Sequence, residues 1–318
     1  MYANLKHKNQ WSITMSQSLV NQSQLIANID KLVRDVVFHP IRFEDIKDRL
    51  NESYHSFMDS FDPDLFYSQT IDSFVYSTYA VVGDVDPSNV IWDHEKTQQF
   101  IKIISCYEND IKLEDNARYH QECQNKQNLE RYVKNLINHY SRLVFIRIDL
   151  KYLKESSHLV TIEDFNTHMN KLREFIGNKK TCFKYLQGNA WALEQGDENG
   201  GLHCHLLLIY DGSKRQKDYH LAKEVGEKWQ SITGGIGAYY SYHDTERKQG
   251  YEKNGKLGIG MIHRDKPKQV ENAVCTSLYL TKPDKRNQHL KLWVPSMRTF
   301  GHGIYRVKKR RSLPPISK

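Results

Sequence analysis

At 318 residues, with 39% hydrophobic and 26% charged side chains, the chain is long enough for one large or two ordinary globular domains. No apolar run approaches a membrane span, and no basic stretch leading into an apolar core marks a secretory signal, so membrane and secreted roles are not expected. Charge is uneven: residues 1–138 carry 14 Lys and Arg against 20 Asp and Glu, whereas residues 139–318 carry 32 against 18, so the second half suits a polyanionic partner.

The first 138 residues read as a mostly helical region. Leu19, Leu25, Ile26, Ile29, Leu32 and Val36 recur at helical spacing within residues 16–37. Further helices are expected over 43–61, 72–82 and 94–107, with Asp62-Pro63-Asp64 as a break. A last one over 115–140 turns amphipathic from Leu129 onward and forms the arm to the second half. This region carries no chemical motif, and helix packing or an interaction module is its expected role. Five scattered cysteines (106, 123, 182, 204 and 275) lack metal-type pairing and point to reduced thiols in a cytoplasm.

Residues 142–151 form the first clear strand, with Val144, Ile146 and Ile148 alternating against Phe145, Arg147 and Asp149. Thr161, three residues before Asp164, starts a helix carrying Phe165, Met169, Leu172 and Ile176. Two strands follow, 189–195 and the apolar run 206–210, around the turn-forming residues 196–201. Side chains alternate along a strand, so His203 and His205 share one face while Leu202, Cys204 and Leu206 share the other. A hairpin brings Glu194 beside His203. One carboxylate and two imidazoles give three ligands with positions left open, as a catalytic divalent metal needs. Asp149 is an alternative third ligand, and a pair of exposed sheet-surface histidines is the ordinary alternative to a site.

A helix over 217–232 carries Leu221, Val225 and Trp229, and Gly234-Gly235 follow it. Strands over 236–242 and 258–262 flank a polar, lysine-rich loop. Tyr239, Tyr240 and Tyr242 on the first of these are sheet-face or base-stacking residues. The last helix, 268–282, is stopped by Pro283 and places Tyr279 and Lys282 one turn apart. A tyrosine can attack a phosphodiester, and a neighbouring ammonium favours the charge that develops. A packed aromatic beside a surface lysine is the ordinary alternative. The order strand-helix-strand-strand-helix-strand is that of a ferredoxin-like (split βαβ) antiparallel sheet, with helices on one face and the other free for metal ligands. The tail, 306–318, is basic.

The His203-Cys204-His205 series followed by Tyr279-x-x-Lys282 resembles the HUH endonucleases of rolling-circle replication. More closely, residues 143–303 resemble the YagK/YfjJ C-terminal domain shared with inovirus-type replication proteins. The matching stretches are 144–150, 191–194, 201–208, 226–229, 235–237, 258–260 and 279–282. The resemblance implies an α+β fold: an HUH palm over 139–305, after a helical region (1–138) and before the basic tail. It implies metal-dependent nicking and rejoining of single-stranded or hairpin DNA in a bacterial cytoplasm, for a phage or mobile element. Host helicase and polymerase are the further partners. His203, His205 and Glu194 would hold Mg²⁺ or Mn²⁺, Tyr279 would form a 5′-phosphotyrosine and free a 3′-OH, and Lys282 would stabilise charge. The rival readings are a DNA-binding module without catalysis and a metal hydrolase acting on a small phosphoester.

Overall fold

The computed structural model describes residues 21–196, 201–281 and 288–305. Helix α1 (Gln22–Phe38) is capped by Asn21, whose side chain accepts from the Gln24 amide, and it buries Leu25, Ile26, Ile29, Leu32 and Val33. After it come α2 (Phe43–Ser60), strand β1 (Phe66–Tyr67), α3 (Gln69–Val82) and α4 (His94–Ile104). Edge-on rings of Tyr54, Trp92, Phe100, Phe74 and Phe57 join these helices into one core. Helix α5 (Glu108–His139) has 32 residues, roughly 48 Å at 1.5 Å per residue. It buries Ile111 in the helical core and Leu129, Tyr132, Val133, Leu136 and Ile137 beneath the sheet, so it links the two halves by packing at each end.

Then come β2 (Arg142–Tyr152), α6 (Ile162–Asn178), β3 (Leu186–Gln195), β4 (Leu202–Asp211), α7 (Asp218–Ile232) and β5 (Gly237–Ser241). Helix α8 (Thr245–Lys253), β6 (Gly260–His263), α9 (Pro267–Leu278), β7 (Leu292–Trp293) and β8 (Phe300–His302) complete the described chain. The large sheet runs β5-β2-β4-β3-β8, with β6 pairing the other end of the β2 edge that β5 uses. All its pairings are antiparallel. The protein is thus a mixed α+β structure with an N-terminal helical region and an antiparallel sheet.

Alternation along the strands sorts the sheet's two faces. Val144, Ile146, Ile148, Cys204, Leu206 and Leu208 pack with α6 and α7 through Phe165, Leu172, Val225 and Trp229. Phe145, Leu207, Ile209, Ala190 and Ala192 pack instead with α5 and with Ala273 and Val274 of α9. The second face was expected to stay free for ligands, yet two helices cover much of it. Its polar end, where Glu194 and His203 sit, lies beyond their apolar contacts.

The expected capping box is present: the Thr161 side chain accepts from the Asp164 amide, and the Asp164 carboxylate accepts from Thr161 N–H. The expected lysine-rich loop instead contains α8, which buries none of its residues. A helix without an apolar stripe leaves no periodic trace in sequence, and its cap, Asp244, is the local signal. The two-residue β1–β7 ladder and a hydrogen bond from Gln195 Nε2 to the Ser23 carbonyl (2.6 Å) tie the helical region to the sheet. Among the described residues no helix is long and apolar enough to cross a membrane. The basic tail lies outside the described residues.

Candidate metal centre

Antiparallel register sets Glu194 directly opposite His203, and Ala192 opposite His205. On the other flank of β4, Asp149 stands opposite His205. Three adjacent strands therefore deliver two acids and two imidazoles to one face at one level of the sheet. Glu194 is 8% exposed and His205 6%, while the His203 side chain keeps 22% of its surface. The cluster is thus largely withdrawn from water yet reachable.

Hydrogen bonding decides which nitrogen each ring presents. His205 Nδ1 donates to Asp149 Oδ1 at 2.5 Å, and His203 Nδ1 donates to the Gly201 carbonyl at 3.1 Å. Each acceptor can only accept, so the Nδ1 positions carry protons and both rings turn their Nε2 atoms toward Glu194. Both Nε2 atoms face Glu194 Oε2, at 3.1 Å from His205 and 3.5 Å from His203. The rings stand nearly perpendicular with centroids 5.1 Å apart. One ligand atom from each of the three residues lies within 4.8 Å of the others. Such convergence of acceptors is stabilised only by positive charge among them, a proton or a metal cation. Two imidazoles and a carboxylate are a suitable donor set for a divalent ion with open positions, so this triad could hold a metal.

Burial alone would lower the His205 pKa, but its hydrogen bonds to Asp149 and Glu194 outweigh that and raise it. Burial would raise Asp149, but the bonds from His205 and Tyr242 bring it down. Asp149 stands apart from the group of three that could hold a metal: it lies inside β2, on the Nδ1 side of His205, where its hydrogen bond orients that ring from behind. Its second oxygen accepts from Tyr242 Oη at 2.5 Å. Tyr242 was expected on a sheet face, but β5 ends at Ser241 and the phenol turns into the cluster. Tyr239 packs its ring against Gly226 of α7, leaving Tyr240 as the exposed aromatic of the three.

Tyr279 sits beside the triad, its ring edge-on to His205 at 5.7 Å and half-buried. Helix α9 ends at Leu278, and Tyr279 opens a 3₁₀ turn to Thr281 rather than riding on the helix as expected. Pro283 has no N–H to offer the Tyr279 carbonyl, which removes one α-helical hydrogen bond from this last turn. Lys282 lies outside the described residues. A cation is nevertheless present: the Arg147 guanidinium lies 3.8 Å over the Tyr279 ring and 4.4 Å from the Tyr242 ring.

Sequence reading gave Arg147 no role, although Arg147, Asp149 and Lys151 are successive polar positions on one face of β2. The Arg147 amide falls between the stretches of β2 that β5 and β6 occupy and donates to His243 Nε2 at 3.0 Å. His243 is 2% exposed and donates from Nδ1 to Asp218 Oδ2 at 2.8 Å, the oxygen that Lys248 Nζ also reaches at 2.8 Å. A buried side-chain chain thus fills the gap in the ladder and fixes Arg147.

No curated protein and no solved structure matches the chain significantly. The family model of the YagK/YfjJ C-terminal domain matches residues 108–303. That span runs from the start of α5 to just past β8, taking in the whole sheet, both faces of its core and every residue of the cluster, and the chain belongs to the YagK/YfjJ C-terminal domain family.

Proposed function

We propose that the protein is a metal-dependent nickase and rejoining enzyme for single-stranded or hairpin DNA, acting as HUH endonucleases do in rolling-circle replication. The observation that carries this reading is the convergence of Glu194, His203 and His205 with the Tyr279 ring against His205. The strand order β5-β2-β4-β3, with α6 and α7 as crossovers, supports a ferredoxin-like palm. The basic second half supports a polyanionic substrate.

Mg²⁺ or Mn²⁺ held by Glu194, His203 and His205 would supply Lewis-acid polarisation of the scissile phosphate. Asp149 keeps the His205 lone pair aimed into the site. Arg147 holds the Tyr279 ring by stacking and places a permanent positive charge beside it. The Tyr279 oxygen attacks phosphorus in line: the new bond is Oη–P and the broken bond is P–O3′. The phenol proton passes to solvent, and the departing 3′-oxygen takes one up, leaving a 5′-phosphotyrosine and a free 3′-OH. Attack by another 3′-OH reverses the step and releases the tyrosine. The free 3′-OH suits extension by a host polymerase, with a helicase to open the duplex, in the cytoplasm of the host bacterium.

The test is a labelled single-stranded DNA pool incubated with the full chain and Mn²⁺. Wild type is expected to give a covalent protein–DNA band that Tyr279→Phe does not. An adduct with Tyr279→Phe would remove Tyr279 as nucleophile. DNA binding with no adduct in Mg²⁺ or Mn²⁺ would favour a non-catalytic binding module. Turnover of free nucleotides, indifferent to Tyr279→Phe, would favour a small-phosphoester hydrolase.

A further inference from the structure

Arg147 meets a second environment besides Tyr279. It lines a cavity of about 60 Å³ together with Tyr242, Tyr251, Lys256 and Thr276. Its Nε is buried and has no hydrogen-bond partner, and such a donor is normally paired. No Asp or Glu among the described residues lines this cavity. The Tyr242 hydroxyl proton is committed to Asp149, so that side chain is a wall rather than a donor. The lining residues able to donate are Arg147, Lys256, Tyr251 and Thr276.

The volume holds several waters or one tetrahedral oxyanion. A planar guanidinium beside an ammonium and hydroxyls is the donor set that recognises phosphate. Lys256 is exposed, on the loop after α8, and can fold over a bound anion. Arg147 touches both this cavity and the Tyr279 ring, so an anion seated here lies one side chain from the phenol that attacks.

We propose that this cavity is a phosphate subsite, and that its occupant is the backbone phosphate next to the one Tyr279 attacks. The chemistry of the subsite rests on the cavity alone; the identity of its occupant rests on the nicking reading above. Holding the adjacent phosphate fixes the strand's register, which positions a single phosphodiester for attack.

Two measurements on the full-length protein in EDTA test this with cutting suppressed. In the first, inorganic phosphate is titrated and its ³¹P resonance observed. Broadening is expected with wild type and not with Lys256→Ala or Thr276→Val; no broadening with wild type, or equal broadening in all three, overturns the subsite. In the second, a single-stranded oligonucleotide is scanned with one neutral methylphosphonate linkage at a time. One linkage is expected to weaken wild-type binding about tenfold. In Lys256→Ala the same replacement should add nothing, and the slope of log K against log salt should fall by about 0.7. Additive losses at every linkage, with phosphate still bound, overturn the backbone occupant and leave a site for free phosphate. Failure of wild type to bind DNA while it binds phosphate sinks the nicking reading and, with it, the backbone occupant.

Discussion

Asp149→Asn probes the candidate centre while leaving Glu194, His203 and His205 themselves unchanged. Both Asp149 oxygens are committed, one to His205 Nδ1 and one to Tyr242 Oη, each at 2.5 Å. Asparagine keeps the shape but offers one acceptor and one donor. With its oxygen toward His205, the Nδ1 proton survives but the partner loses its charge. With its nitrogen toward His205, the ring must carry its proton on Nε2, where the ligand lone pair belongs. A hydrogen bond to a charged group contributes about 1.5–3 kcal/mol. Loss of a carboxylate behind a metal-bound histidine costs roughly 10–100-fold in affinity, about 1.4–2.8 kcal/mol. The two ranges agree, so calorimetric titration with Mn²⁺ should show a Kd raised by about one to two orders of magnitude. Circular dichroism would confirm that the variant is folded. A folded Asp149→Asn protein whose Mn²⁺ affinity stays within about twofold of wild type would refute the reasoning, because His205 would not then depend on Asp149 to present Nε2.

Arg147→Ala should slow covalent adduct formation roughly two- to thirty-fold, the range of about 0.5–2 kcal/mol for a cation over an aromatic ring, with Mn²⁺ affinity unchanged; equal rates would deny the stacked cation any part in the step. Burial would raise the Asp218 pKa, but His243 and Lys248 hold it at about 2, below its ordinary 3.8. The group therefore stabilises the fold by about 2 kcal/mol above pH 4 and loses that contribution as pH falls through its folded pKa. Urea titrations should show Asp218→Asn less stable than wild type by about that amount at pH 7, with the gap narrowing from pH 4 toward pH 2; a gap independent of pH would contradict the ion pairing. Gly226→Ala would place a Cβ 2.4 Å from the Tyr239 ring, so a thermal melt should reveal a loss of about 1–3 kcal/mol, whereas an unchanged melt would mean that α7 and β5 part easily.

How legible the site was in sequence followed the range of each interaction. His203 and His205 share a face because strand alternation is local, and Glu194 faces His203 because the hairpin fixes register within a few residues. Asp149 could be noticed on its strand, but its side of His205 depended on pairing between β2 and β4, more than 50 residues apart in the chain. The cation over Tyr279 was sought three positions away on a helix, following helical spacing, whereas Arg147 arrives from β2 across the sheet. The cover of α5 and α9 over the ligand face was hidden because Leu129–Ile137 reads the same against a neighbouring helix as against a sheet. The alternating strands and striped helices were plain, while α8, β7 and β8 were not, because two- and three-residue strands and a helix without buried residues carry no period.

Crystals of the full-length protein soaked in Mn²⁺ and measured at the manganese absorption edge test the metal centre most directly. The predicted result is an anomalous peak bonded to the Glu194 carboxylate and to Nε2 of both His203 and His205, on the side of the cluster that Tyr279 flanks. A peak bound elsewhere, or no peak at the triad at saturating Mn²⁺, would contradict the metal centre and the nicking chemistry built on it.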